Sequence, residues 1–322
     1  MKIIIKIPIL LIIVMVLNQI LLGDEEKNSF FGDLIIFHAG SLSVPFKEIS
    51  EKFNQEYPKV RILCESAGSR TCARKISELE RLCDVIASAD YTVIDELLIP
   101  EHADWNLKFA SNEMTIVYSN TSRRAKEINK DNWYEIMMDE SVVFGRSDPN
   151  TDPCGYRAVF TIKLAEEFYR QPGLAQKLLS KDLNFIRPKE VDLLALLETN
   201  DIDYIFLYRS VAQQHGLKVV LLPDEINLKM PELSDFYKKA SIKVTGKKPG
   251  TFITKTGMPM VYSVTIPRNA PNPKAALEFV KFLCNKDGGL GIMERNGQPS
   301  MVPSSTNTYN KLPEILKKYA TK

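Results

Sequence analysis

The chain has 322 residues, of which 44% are hydrophobic and 25% are charged, and its formal net charge is +2 at pH 7. That length suggests about two domains, and the near-neutral charge gives no broad basic surface, so we expect no binding to nucleic acid. The three histidines lie far apart and the five cysteines form no CxxC pair, so a zinc site is poorly supported.

The chain begins with Lys2 and Lys6, and an apolar run follows from Ile7 to Leu22. This arrangement is typical of a secretory signal peptide or of an uncleaved membrane anchor, and we assign residues 1–23 to it. No small-residue cleavage site and no lipid-accepting cysteine ends the run, so both alternatives stay open. We expect the rest of the chain to act outside the cytoplasmic membrane.

An odd number of cysteines in an exported protein leaves at least one thiol free, unless it pairs between molecules. The sequence does not decide how they pair. The five cysteines are Cys64, Cys72, Cys83, Cys154 and Cys284.

Short apolar β-rich runs alternate with amphipathic helical patterns in the first part of the chain. The short connections between them predict a parallel, doubly wound α/β sheet. Another predicted strand, residues 113–119, then leaves this unit. The predicted elements alternate strand and helix in the order 34–39, 43–57, 60–66, 70–82, 83–90 and 92–99.

A second α/β set follows, and the chain then returns to the first unit. We predict two doubly wound α/β domains joined by two crossings, the first of residues 34–115 and 262–322 and the second of residues 116–261. Ligands bind such open sheets at the carboxyl ends of the strands, so a cleft between the domains is the expected site. The later predictions are a strand at 141–148, a helix at 155–170, a helical run at 190–197, strands at 203–210 and 218–223, a hairpin or loop at 243–257, a strand at 259–267 and two helices within 271–301.

Two of the predicted helix starts pair a glycine with a serine. Gly40 and Ser41 follow the first strand, and Gly68 and Ser69 follow the second. A helix N-terminus binds anions because its first N–H groups are unpaired and carry partial positive charge. Helix capping explains one such pair equally well, but two in the same topological position favour an oxyanion site.

The segment "SDPNTDPCGYR", residues 147–157, predicts the matching helix start in the second domain. Asp152 followed by Pro153 is typical of an N-cap and the first helical residue. A binding role is the alternative. We expect the backbone amides of this turn to face the cleft, namely those of Asn150, Thr151 and Asp152.

Two carboxylates, Asp152 and Glu190, are expected at the same cleft, and Tyr208 at the end of a strand could add a phenolic donor or simply pack in the sheet. A carboxylate beside an anion costs free energy unless something neutralises it. A proton on the oxyanion, a metal cation or the centre of the oxyanion itself could do so. Tungsten(VI) and molybdenum(VI) accept extra oxygen ligands, whereas the sulfur of sulfate does not.

Seven segments together make the chain resemble the archaeal molybdate/tungstate-binding protein family of ABC uptake systems. The resemblance runs from about residue 34 to residue 303, and its most specific block is "DPNTDPCGYR". The segments are "FHAGSL", "AGSR", "DVIASADYTVI", "NWYEIM", "DPNTDPCGYR", "DYIFLYRSVAQQHG" and "MVYSVTIPRNAPNP".

This resemblance implies a type II periplasmic-binding-protein fold and a bound tungstate or molybdate. It also implies that Asp152 and Glu190 each give an oxygen to a six-coordinate metal centre. The implied partners are the permease and ATPase of an ABC transporter, and we expect a monomer without cofactor or catalytic activity. The residues that the resemblance implies as hydrogen-bonding partners of the ligand are Gly40, Ser41, Ser69 and Tyr208.

Three other functions compete with this interpretation. A phosphate or sulfate binder is the first, although sulfate needs only donors and phosphate would leave Glu190 without a role. An iron binder could use Tyr204 and Tyr208, which share one strand face, but the flanking sequence does not fit. An enzyme could use Cys154 as a nucleophile, since thiol pKa values fall at helix N-termini, but no base partner is evident.

Overall fold

The structure, a computed structural model, describes residues 29–248 and 250–322, so the predicted signal peptide or anchor lies outside the described residues. Two five-stranded sheets and two small two-stranded sheets organise the described chain. The strands are β1 (Gly32–Ala39), β2 (Val60–Ala67), β3 (Val85–Ser88), β4 (Leu107–Ser111), β5 (Met114–Tyr118), β6 (Phe144–Ser147), β7 (Ile186–Arg187), β8 (Tyr204–Tyr208), β9 (Lys218–Leu221), β10 (Ser241–Thr245), β11 (Phe252–Thr256), β12 (Val261–Thr265), β13 (Ser304–Ser305) and β14 (Ala320–Thr321).

Helices cover the faces of both large sheets. Short 3₁₀ segments and one π-helical turn, Lys286–Leu290, lie between some of them. The α-helices are α1 (Ser43–Glu56), α2 (Ser69–Ser77), α3 (Tyr91–Leu97), α4 (Trp133–Met138), α5 (Pro153–Tyr169), α6 (Leu174–Ser180), α7 (Asp192–Glu198), α8 (Arg209–Gln214), α9 (Asp224–Asn227), α10 (Ser234–Tyr237), α11 (Pro273–Leu283) and α12 (Gly291–Arg295).

The first sheet has the strand order β2-β1-β3-β12-β4, and the second has the order β7-β6-β8-β5-β9. Parallel pairs join β1 to β2 and β3 and join β6 to β7 and β8. β12 in the first sheet and β5 in the second are antiparallel to their neighbours. The parallel arrangement predicted for the first three strands is confirmed for β1, β2 and β3. β5 is entered directly from β4 of the first sheet, and β12 is entered from the hairpin of β10 and β11; neither entry uses the crossover helix that a parallel neighbour requires.

The sheets divide the chain close to the predicted domain boundaries. Met114 and Thr115 already pair in the second sheet, and Val261 pairs in the first. The predicted boundaries at 115/116 and 261/262 therefore fall just inside strands. The segment at 243–257 is a hairpin of β10 and β11.

Apolar side chains at helical spacing explain why α1 packs on the first sheet. Phe46, Ile49 and Phe53 recur on one face of α1 and are fully buried. The Phe53 ring meets Phe279 of α11 edge-on at 5.3 Å between centroids. Burying each such side chain stabilises the fold by about 1.5–3 kcal/mol. Within the described residues, no helix has the length and apolar character needed to span a membrane.

Candidate functional site

The carboxyl ends of parallel strands from both sheets meet at one buried polar site. β1 and β2 of the first sheet lead into Ser41 and Ser69. β6, β7 and β8 of the second sheet lead to Asp152, Glu190 and Tyr208. All five side chains are at most 1% exposed. The structure thus brings together residues that lie more than 160 positions apart, as the carboxyl-end rule for open sheets requires.

The Asp152 carboxylate accepts two hydrogen bonds from the protein backbone. Asp152 is the N-cap of α5, where its Oδ1 accepts the N–H of Cys154 at 3.2 Å. Its Oδ2 accepts the backbone N–H of Glu190 at 3.0 Å. The N-cap interpretation of Asp152 is therefore confirmed, and this side chain also fixes the turn that carries the second carboxylate.

Glu190 lies in the turn before α7, which begins two residues later than the predicted helical run. Neither of its carboxylate oxygens has a hydrogen-bond partner among the described residues, although the side chain is buried. A buried, unpaired carboxylate is costly. In its ionised form such a group needs a positive partner, and without one the neighbouring Asp152 carboxylate favours the protonated form of Glu190.

The two carboxyl groups influence each other's ionisation. Burial raises the pKa of Glu190 well above its usual range, and the negative charge of Asp152 raises it further. Burial also raises the pKa of Asp152, while the N–H groups of Cys154 and Glu190 act in the opposite direction. Two adjacent buried carboxylates are stable in the ionised form only when a positive centre binds both.

One serine hydroxyl and one tyrosine hydroxyl at the site already accept hydrogen bonds from the protein. Ser69 Oγ accepts the N–H of Ala89 at 2.9 Å, and Tyr208 Oη accepts from Arg157 Nη1 at 2.9 Å. Each hydroxyl therefore keeps its own hydrogen free to donate. Burial raises the pKa of Tyr208 well above its usual value, so the phenol stays protonated and remains a donor.

Arg157 and Ser147 belong to the site but were not predicted from the sequence. Arg157 Nη1 also donates to the carbonyl of Ala89 at 2.8 Å, so it joins the second sheet's helix to the first sheet. Its Nη2 and the hydroxyl of Ser147 are buried and have no partner among the described residues. A cation in the second turn of a helix opposes the helix dipole, and that anomaly was the available sequence signal for Arg157.

Two glycines allow the two sides of the site to approach closely. A Cβ atom on Gly40 would lie 2.9 Å from Glu190 Oε2, and one on Gly68 would lie 2.9 Å from the carbonyl carbon of Thr151 and overlap its oxygen. A larger residue at position 68 would push the Thr151 backbone away, whereas one at position 40 would displace the Glu190 carboxylate. The structure therefore shows the site in a closed arrangement.

The predicted role of the amides at residues 150–152 is wrong in this structure. The N–H of Asn150 donates to Asp148 Oδ1, and those of Thr151 and Asp152 donate to the Asp148 carbonyl. The tight turn that precedes α5 uses all three donors internally. Asn150 and Thr151 instead contact the first sheet's helix α2 through their carbonyl oxygens, which accept from Arg70 and Thr71.

A hairpin clamp, which we define as β10 and β11, also spans the two sides. Arg74 of α2 donates to the Thr245 carbonyl at 3.2 Å. Lys255 is 4% exposed and lies 2.8 Å from Glu96 of α3. These bonds close the rim of the site beside Asp90, whose carboxylate accepts from Tyr156 of α5.

The geometry disfavours one competing function, that of an enzyme with Cys154 as its nucleophile. Cys154 is fully buried, and burial together with the charge of Asp152 raises the pKa of its thiol well above the usual value. The thiol therefore stays protonated instead of becoming the nucleophile that a helix N-terminus would favour. The described residues hold no group of three or more His, Cys, Asp or Glu that could bind a metal ion. All five cysteines are free thiols.

Comparisons with known proteins agree with this arrangement. Residues 34–297 match the sequence profile of the family described as bacterial extracellular solute-binding protein. A solute-binding protein of Petrotoga mobilis is 50% identical over 289 residues, 89% of this chain and 90% of that protein. The molybdate/tungstate-binding protein WtpA of Pyrococcus abyssi is 40% identical, with 98% of each chain covered. The solved periplasmic molybdate-binding protein of Azotobacter vinelandii has a TM-score of 0.61 at 14% identity, over 82% of this chain and 98% of that one.

Two α/β sheets that meet over a buried polar site define a binding protein of the type II periplasmic-binding fold. The fold prediction is confirmed. The chain belongs to the family of bacterial extracellular solute-binding proteins.

Proposed function

We propose that this protein captures tungstate and molybdate in the closed site, with Asp152 and Glu190 completing six-coordination of the metal centre. The observation that carries the proposal is the buried Glu190 carboxylate, whose oxygens have no partner among the described residues. Tungsten(VI) or molybdenum(VI) would give both carboxylates a partner, because each metal can accept two more oxygen ligands. The relative from Pyrococcus abyssi, named for binding molybdate and tungstate, supports the same ligand class.

Donors around the carboxylates would hold the oxyanion's own oxygens. The hydroxyls of Ser41, Ser69 and Tyr208 each have a hydrogen to give, and Arg157 Nη2 and Ser147 lie buried and unpaired among the described residues. Arg157 would also reduce the total negative charge. Gly40 would contribute to the site because it has no side chain, so the Glu190 carboxylate can lie against its backbone.

In the cell, we propose that the protein acts outside the cytoplasmic membrane as a monomer that delivers its ligand to the permease and ATPase of an ABC transporter. The two sheets would form two domains that close on the oxyanion. The ligand would be bound and released unchanged, without catalysis or a cofactor. The family description and the raised pKa of the Cys154 thiol support this role.

Titration calorimetry with four oxyanions tests the ligand assignment. Tungstate and molybdate should bind far more tightly than sulfate or phosphate, because only their centres accept the carboxylate oxygens. Sulfate affinity equal to that of tungstate would instead indicate a site built from donors alone. Preferential binding of phosphate would favour a carboxylate that accepts a proton from the ligand.

A further inference from the structure

Tyr262 lies behind Ser41 and forms part of a buried hydrogen-bond chain. It sits near the start of β12, and because that strand runs antiparallel to β3, its start lies at the edge that carries the site. Tyr262 is fully buried, and its Oη donates to Ser41 Oγ at 3.0 Å. Gln298 Nε2 also donates a hydrogen bond to the Ser41 carbonyl at 3.0 Å. Ser41 is thus fixed through both its main chain and its side chain.

The chain continues into the first crossing between the sheets. Asn112 is one of the two residues that separate β4 from β5, and its Nδ2 donates to Tyr262 Oη at 2.9 Å. The same Nδ2 donates to Ser210 Oγ of α8 at 2.7 Å. Its Oδ1 accepts the N–H of Glu113 at 2.9 Å. Since both ends of the amide are used, its orientation is set.

These contacts fix the direction in which the hydroxyl hydrogens of Tyr262 and Ser41 point. Tyr262 Oη accepts from Asn112, so its single hydrogen points to Ser41 Oγ. Ser41 Oγ accepts that hydrogen, so its own hydrogen is left to donate into the site. Successive donors in a buried chain polarise and strengthen one another.

We infer that Tyr262 is a positioning residue for the ligand, which acts through Ser41, and that Asn112 anchors this chain in the crossing between the sheets. The inference rests on the proposed function, because it requires an acceptor oxygen in front of Ser41. Tyr262 itself does not touch the ligand. Its contribution is to keep the Ser41 hydroxyl directed at the oxyanion instead of rotating to another acceptor.

A double-mutant cycle with tungstate tests this role. Tyr262→Phe should weaken tungstate binding roughly three- to tenfold, the effect of one buried hydrogen bond. Ser41→Ala should weaken it at least as much. In the Ser41→Ala background, Tyr262→Phe should cause no further loss, because the group through which it acts is gone. A merely structural tyrosine would give the same loss in both backgrounds.

Tyr237→Phe is the matched control. Tyr237 is also fully buried, and its Oη donates to the Asp224 carbonyl at 2.6 Å away from the site. This variant should bind tungstate like the wild type. A loss equal to that of Tyr262→Phe would overturn the inference, since any buried phenol would then have the same effect.

Asn112→Asp provides a second variant if Tyr262→Phe fails to fold. A carboxylate accepts from Tyr262 instead of donating to it, which would draw the tyrosine hydrogen away from Ser41. Tungstate binding should weaken by at least the factor seen for one hydrogen bond. Unchanged binding in Asn112→Asp, or additive losses in the cycle, would refute the role of Tyr262. Absence of tungstate binding in the wild type would refute the proposed function instead.

Discussion

At the residue scale, Asp152 and Glu190 differ in their hydrogen bonds within the protein, although we propose that both carboxylates coordinate the metal centre. Both Asp152 oxygens accept backbone N–H groups within the second sheet's side of the site, whereas neither Glu190 oxygen has a partner among the described residues. An amide can replace a carboxylate with little structural cost only where no second acceptor is required.

Asp152→Asn and Glu190→Gln should therefore separate stability from binding. Asn has one acceptor, so one buried N–H would face its NH₂ group, and the ligand-free protein should lose about 1–3 kcal/mol of unfolding free energy. Glu190→Gln should leave that free energy equal or raise it, because it removes a buried charge beside Asp152. Both variants should bind tungstate much more weakly. The check is thermal unfolding beside titration calorimetry, and wild-type affinity in Glu190→Gln would remove Glu190 from the site.

At the element scale, much of the molecule follows from local pattern, and some of it does not. The apolar spacing of α1 and the Asp-Pro start of α5 are local features, and both predict the observed helices. The antiparallel direction of β5 and β12 depends on which sheet the chain enters next, and no local pattern carries that information.

The same distinction applies to the site. The motif around Asp152 and the spacing of Glu190 from the strand that ends at Tyr208 are visible in sequence, so these residues could be predicted. Tyr262 acts through Ser41, 221 positions away, and Asn112 acts through Tyr262, 150 positions away; only the packed sheets bring these residues together. The amides of residues 150–152 were misjudged because their acceptor, Asp148, depends on the shape of the turn.

The hairpin clamp gives a prediction at this scale. Lys255 is buried between Glu96 and Asp90, which lie on the other side of the site. Lys255→Met should weaken tungstate binding by roughly tenfold, because closure would then bury the carboxylates of Glu96 and Asp90 without their cation. The effect should be smaller than for a fully buried ion pair, because Glu96 is partly exposed. The matched control is Lys243→Met on the exposed face of β10, which should keep wild-type affinity. Equal affinities for the two variants would show that the clamp does not contribute to closure.

At the scale of the whole molecule, a ligand bound by residues of both sheets requires the two sides of the site to close on it. A ligand shifts a protein toward the closed state only through contacts that the open state lacks. Gly68 offers a steric test. Its backbone conformation is one that alanine also adopts, but a Cβ there would overlap the Thr151 carbonyl in this closed arrangement.

Gly68→Ala should fold normally and close poorly. Overpacking of this kind costs about 1–3 kcal/mol, which corresponds to a loss of roughly five- to 150-fold in tungstate affinity. Small-angle scattering should show compaction of the wild type on adding tungstate and less compaction of the variant. Full compaction and full affinity in Gly68→Ala would mean that the closed contact between Gly68 and Thr151 is not needed for binding.

The coordination number of the bound metal is the most direct test of the central claim. X-ray absorption at a tungsten edge, measured on the protein saturated with tungstate, counts the oxygen neighbours of the metal. We expect six oxygens in the wild type and fewer in Glu190→Gln at saturating tungstate. Four oxygens in the wild type, as in free tungstate, would contradict carboxylate coordination by Asp152 and Glu190.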